Sequence, residues 1–279
     1  MFEIMTDSTC DFTPAMAEKL GVRVLPLTVH FGEESFRDGL DISNADFYAR
    51  LRQAETLPTT SQINPDAFVT VFREALDRGN PVLGIFASSE LSGTVQSALI
   101  AKDMLDSSDV FVVDSLQVAL SLRLLVTEAV RLRNRGATAA EAAAQLNELR
   151  SKARLYAVVD TLKYLKMGGR ISTASAVVGG VLGITPIVAV KDGKVVSAGK
   201  TRGRKAGVQW IRQQADGEEL DFSRALLLGH TDCPEALAAM TEGFSDLLLN
   251  FAEVSSGEIG AVVGTHAGPG AAGVAYFVK

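Results

Sequence analysis

Blocks of apolar residues alternate with polar, turn-forming stretches along most of the chain, and block length separates strands from helices. Residues 2–6 form a short apolar run that reads as a buried strand and breaks into the polar loop Asp7-Ser8-Thr9-Cys10-Asp11. A helix follows, with Thr13 as N-cap, Pro14 in its first position and Gly21 just past its end. Residues 22–31 read as the next strand, with Gly32-Glu33-Glu34 as a turn. Ser43 and Asn64 cap two further helices, the second opened by Pro65 and ending near Gly79. Residues 81–87 have strand length, 92–105 are helical, 110–113 are a buried strand, and 116–135 read as an amphipathic helix stopped by Gly136. Thr138 and Glu141 have capping-box spacing and open a helix that runs to about Lys152.

Strand and helix thus alternate through the first half, which predicts a largely parallel sheet covered by helices on both faces. The second half changes character. Residues 155–159 read as a strand, 162–182 as a glycine-punctuated helix, and 187–190 pair with 195–198 as a hairpin across Asp192-Gly193. A helix over 205–214, a strand over 225–229, a helix over 234–249 and strands near 259–263 and 274–278 complete the pattern. That order predicts a mixed sheet. The fold class is therefore α/β in two domains, 1–153 and 154–279, with the boundary placed where the pattern changes.

Composition narrows the function classes. Of 279 residues, 47% are hydrophobic and only 6% aromatic, enough for a full core without disulfides. Two cysteines, Cys10 and Cys233, are too few for a disulfide framework or a metal cluster, and they point to a reducing, cytoplasmic setting. The first seven residues lack the basic and apolar regions of a secretion signal. The longest apolar stretch, 174–190, is broken by Gly179, Gly180, Gly183 and Pro186, and so reads as core and not as a membrane span. A net charge of −6 argues against nucleic-acid binding while leaving room for a local basic pocket.

Five segments carry candidate chemistry. Ala87-Ser88-Ser89-Glu90-Leu91-Ser92-Gly93-Thr94 follows a strand and opens a helix, so Ser92 and Gly93 sit where unpaired backbone N–H groups attract a carboxylate or phosphate. A plain serine N-cap explains the same residues. Thr59-Thr60-Ser61-Gln62 offers hydroxyls that donate to an anion without adding charge, or is an ordinary polar loop. Arg170, after Gly168-Gly169, and Arg202, in the basic run Lys200 to Lys205, are either solvated charges or anion forks. His266 lies in Gly264-Thr265-His266-Ala267-Gly268-Pro269-Gly270, where glycines let the backbone approach a ligand. His30 and His230 lie in or beside strands and read as structural. No GxGxxG or GxxxxGK[ST] pattern occurs, which argues against a nucleotide loop.

Taken in order, residues 2–8, Thr60-Ser61-Gln62, Ser88-Ser89-Glu90-Leu91-Ser92-Gly93-Thr94, Gly169-Arg170-Ile171 and His266-Ala267-Gly268-Pro269-Gly270 resemble the signature of DegV family proteins. That family includes the FakB subunits of bacterial fatty acid kinase. Ile63-Asn64 departs from the Pro-Ser usual in the family after Thr-Ser-Gln. The resemblance implies a two-domain α/β fold holding one long-chain fatty acid, of the palmitate, stearate or oleate type, in a buried pocket and using no other cofactor. It implies a carboxylate site at Thr60, Ser61, Ser92 and Gly93, with Arg170, Arg202 and His266 on the head-group side. It further implies a FakA-like kinase as partner, which makes the acyl phosphate. This chain itself is then a carrier and not an enzyme, working in phospholipid metabolism with at most transient membrane contact. A second reading makes Ser92 a nucleophile and His266 its base in a lipid or ester hydrolase, although no Gly-x-Ser-x-Gly elbow is present.

Overall fold

Three sheets organise the computed structural model, which describes residues 1–171 and 183–279. The strands are β1 (Glu3–Asp7), β2 (Val22–Leu25), β3 (Thr28–Phe31), β4 (Glu34–Arg37), β5 (Thr59–Ser61), β6 (Val82–Phe86), β7 (Val110–Asp114), β8 (Ala153–Val158), β9 (Ile184–Lys191), β10 (Lys194–Arg202), β11 (Ala225–His230), β12 (Glu253–Glu258) and β13 (Ala272–Phe277). A parallel sheet has the order β2-β1-β6-β7, and a mixed sheet the order β10-β9-β8-β13-β11-β12. Every strand of the mixed sheet lies at or after Ala153.

Side chains on each strand alternate between two faces, so each sheet feeds two cores. In the parallel sheet, Met5, Val82 and Phe86 meet Phe68 and Phe72 from the helix Pro65–Asp77. Ile4, Leu83 and Ile85 face the opposite way, onto the helix Ala119–Asn134. The mixed sheet presses Leu227 and Ala275 onto that same helix, while Val158, Leu226 and Val274 pack beneath the helices Arg204–Asp216 and Pro234–Gly243. The helix Ala119–Asn134 is therefore shared between two sheets.

That position corrects the amphipathic reading of 116–135. Most of the sixteen residues are buried, including Arg123 and Glu128. A helix with sheets on both sides has no solvent stripe, and its two charges are satisfied internally. Arg123 donates through Nε to the Cys10 carbonyl at 2.9 Å and through Nη2 to the Asp11 carbonyl. Glu128 accepts from Arg131 at 3.3 Å and from Arg224.

Several expected caps occur where the spacing places them, at Thr13, Ser43, Asn64 and the Thr138–Glu141 capping box. The hairpin at Asp192-Gly193 also forms, with both residues at positive φ. Residues 22–31, expected as one strand, are two. Pro26 has no N–H to continue the ladder with β1, and the chain leaves for a third sheet, the antiparallel β4-β3-β5. Residues 259–263, expected as a strand, instead lead into the helix Ala261–Ala267. Of the glycine-punctuated helix expected over 162–182, Lys163–Met167 is helical, while 172–182 lie outside the described residues. Both cysteines are buried free thiols. Among the described residues no helix is long and apolar enough to cross a membrane.

Arg123 ties the shared helix to the loop after β1. Replacing it with methionine leaves two buried carbonyls without donors, so Arg123→Met should lower the unfolding free energy by about 2–4 kcal/mol in urea titrations. An unchanged midpoint would show that the two bonds contribute nothing to stability.

Candidate functional site

Where β8 and β11 end and β13 begins, the face of the mixed sheet that turns toward the shared helix is left open, and a cavity of about 410 Å³ lies there. Its floor comes from alternate strand residues such as Leu155, Ala157, Val159 and Gly273, and its walls include Leu120, Val188 and Val262. The lining is mainly aliphatic. The polar exceptions are concentrated in β5, the loop before the helix Thr94–Leu105, the turn after Lys163–Met167 and the helix Ala261–Ala267.

These polar groups hold one another. Thr60 Oγ1 lies 3.0 Å from His266 Nε2. Arg170 donates to the Leu91 carbonyl at 3.2 Å and to the Gly168 carbonyl at 2.6 Å, which braces it between two of the segments. Burial, followed by the positive charge of Arg170, pulls the His266 pKa down from 6.5 to about 4. The ring is thus neutral near pH 7. Its Nδ1 is buried with no partner among the described residues, and Gly168 packs so closely there that a Cβ would come within 2.2 Å of it.

Ser92 and Gly93 sit slightly differently from the expectation of a serine cap. The helix begins at Thr94 with Gly93 as N-cap, and Ser92 Oγ accepts from the Thr94 N–H at 3.3 Å and lies 2.9 Å from the Thr94 hydroxyl. Gly93 lacks a side chain for a definite reason. A Cβ would fall 2.0 Å from Gln62 Oε1, and Gln62 in turn donates to Ser97 Oγ at 2.9 Å. The amide of Gln62 thereby locks β5 against the helix start.

Thr60 and Ser61 are adjacent on a strand, so their side chains point to opposite faces. Thr60 faces His266, while the Ser61 hydroxyl lies 2.9 Å from His30 Nε2 and Ser61 itself is exposed. Thr60, Ser61, Ser92, Gly93, Arg170 and His266 all border the cavity. Arg202 does not. It is exposed at the end of β10, opposite Ile184, and the arginine of that basic run that turns inward is Arg204, which donates to Asp160 at 2.8 Å and to the Gly270 carbonyl at 3.0 Å.

His266 lies in the last turn of a short helix and not in a loop. That helix starts where it does because two buried aspartic side chains receive its first N–H groups. Asp11 Oδ1 accepts from Gly260 at 2.8 Å and Asp38 Oδ1 from Ala261 at 3.1 Å, while the Tyr48 hydroxyl donates to the Ile259 carbonyl at 2.9 Å. Burial, opposed by Arg123 and the Gly260 N–H, raises the Asp11 pKa to about 8, and burial raises that of Asp38 also. Asp11, Asp38 and Gln62 are the positioning residues that pattern reading did not single out. Only Gln62 carried a visible signal, through its place directly after Thr60-Ser61.

In an NMR pH titration the Cε1–H resonance of His266 should report a pKa of about 4. Arg170→Met should move it upward, because a positive neighbour disfavours the imidazolium. A value near 6.5 in the unmodified protein would mean that the ring is solvated.

A family model described as "Uncharacterised protein, DegV family" matches residues 1–279. A DegV domain-containing protein from Caldanaerobacter subterraneus subsp. tengcongensis is 36% identical over 277 residues, covering 99% of this chain and 98% of the relative. Among solved structures, a DegV family protein from Thermus thermophilus described by its fatty acid binding superposes with a TM-score of 0.90 at 33% identity, over 100% of this chain and 99% of that one. The fatty acid kinase B3 protein of Streptococcus pneumoniae, loaded with linoleic acid, shares the fold at a TM-score of 0.86 and 19% identity, over the full length of both chains. With the match running from the first residue to the last, the chain belongs to the DegV family.

Proposed function

We propose that this protein binds one long-chain fatty acid in the cavity between residues 1–153 and 154–279 and presents its carboxylate to a separate ATP-dependent kinase in the cytoplasm. The observation that carries the reading is the union of an aliphatic cavity with polar side chains on its border, Thr60 paired with His266 and Arg170 held by two backbone carbonyls. The Thermus thermophilus relative, described by its fatty acid binding, supports it.

The energetics divide the work between tail and head. An acyl chain of about fifteen methylenes, at ~0.8 kcal/mol each, supplies roughly 12 kcal/mol of gross transfer energy before the costs of association. A carboxylate taken out of water without donors would cancel much of that gain. In this reading the hydroxyls of Thr60 and Ser92, with the backbone at Ser61 and Gly93, supply donors, and Arg170 supplies the opposing charge. Neutral His266 holds Thr60 and adds no second cation. The kinase then transfers the terminal phosphoryl group of ATP to a carboxylate oxygen, releasing ADP and leaving an acyl phosphate. Exposed Arg202 is suited to meeting that partner and not the bound acid.

Solvent extraction of the purified protein followed by mass spectrometry should yield about one long-chain fatty acid per chain. No such acid, together with no uptake of added palmitate or oleate, would end the proposal. Arg202→Ala should bind palmitate as tightly as the unmodified protein yet be phosphorylated more slowly by a FakA-like kinase. Equal rates would remove Arg202 from the encounter.

The hydrolase reading finds little support. His266 Nε2 is engaged with Thr60, its Nδ1 has no carboxylate to orient it among the described residues, and the Ser92 hydroxyl is paired with Thr94.

A further inference from the structure

The sheet beneath the cavity has a gap in its side chains. Ala157 on β8 pairs with Gly273 on β13, and Gly273 pairs with Gly229 on β11. All three line the cavity, so across β8, β13 and β11 the floor at this level consists of one methyl group and two bare backbones, with Val188 of β9 beside Ala157. Glycine weakens a strand interior, which calls for a reason at each position. Backbone conformation is not the reason, since neither Gly229 nor Gly273 has a positive φ.

The two glycines differ in what occupies the vacated space. A Cβ on Gly229 would meet Leu120 Cδ2 at 3.0 Å and Ile259 Cδ1 at 3.1 Å, so the protein's own side chains fill that position. A Cβ on Gly273 would have as its nearest neighbours only atoms of the adjoining strand, the Tyr156 carbonyl oxygen at 3.1 Å and Ala157 Cβ at 3.2 Å. Among the described residues no side chain from across the cavity comes as near. A Cβ there presses on the Tyr156 backbone, which must give by a few tenths of an ångström, and a larger side chain extends into the cavity that Gly273 lines.

We infer that Gly273 is a specificity-determining residue for acyl length: its missing side chain supplies volume that the methylenes of a long-chain acid need. The inference rests on the fatty-acid reading above. The surrounding walls are buried aliphatic groups of a packed core, such as Leu120 and Val188, and dense cores give way little. Volume taken at residue 273 is therefore subtracted from the ligand. A flexible short chain repositions within the remainder, whereas a long one no longer fits.

Dissociation constants for palmitate and for dodecanoate, measured on the unmodified protein, Gly273→Val and Gly273→Ala, test this. Gly273→Val should weaken palmitate by about tenfold to a hundredfold, the value of two or three buried methylenes, and change dodecanoate by less than about threefold. Gly273→Ala should show the same ordering with a smaller gap, and it decides the matter if circular dichroism shows the valine variant unfolded. Equal weakening of both acids, or unchanged palmitate binding in a folded variant, would overturn the role of Gly273. If the unmodified protein binds neither acid, the proposed function itself falls. Binding of both without discrimination by the variants removes only the role of the floor.

Discussion

The geometry around the cavity depends on how the helix Ala261–Ala267 begins. Its first amide groups point into protein and not water, and they are received by the side-chain oxygens of residues more than two hundred positions earlier, Asp11 and Asp38. An unreceived N–H in such a place costs free energy, and so does a buried side-chain oxygen without donors. The observed arrangement lowers both costs together. That arrangement sets where the helix starts, and seven residues fix where His266 meets Thr60. Arg123, reaching from the shared helix to the carbonyls of Cys10 and Asp11, holds the loop that carries one of those side chains. The head-group cluster is thus an outcome of buried polar pairing in the interior.

Tail and head follow different physical rules. The aliphatic lining is non-directional and tolerates substitution of similar volume. The polar cluster is directional, and each member constrains the next: Gln62 requires Gly93 to be bare, and His266 requires the same of Gly168. Both glycines have negative φ, so close approach and not backbone conformation accounts for them.

Much of this was legible in the order of residues, for identifiable reasons. Caps at Thr13, Asn64 and Thr138 were visible because they use local hydrogen bonds over three residues. The parallel and mixed sheets followed from the alternation of strand and helix, and the six cavity-bordering residues came from motifs recognised together. What failed depended on distant partners. The run 259–263 is rich in β-branched residues yet turns helical because Asp11 and Asp38 cap it, and nothing near it in the chain announces them. The 116–135 segment has a polar face in projection, but Arg123 and Glu128 find partners inside. Thr59–Ser61 looked like a loop because a three-residue edge strand has too little periodicity to detect. Arg202 and Arg204 are indistinguishable by type, and only the turn at Gly203 sends one outward and the other in.

That short strand has one further implication. A one-residue slip of β5 along β3 would exchange the faces of Thr60 and Ser61, placing a smaller hydroxyl opposite His266. Three residues of ladder hold such a register weakly. His30 acts as a peg against that slip: its two ring nitrogens lie 2.8 Å from the Ser35 hydroxyl on β4 and 2.9 Å from the Ser61 hydroxyl on β5. A histidine that never reaches the cavity thereby selects which of two neighbouring hydroxyls does.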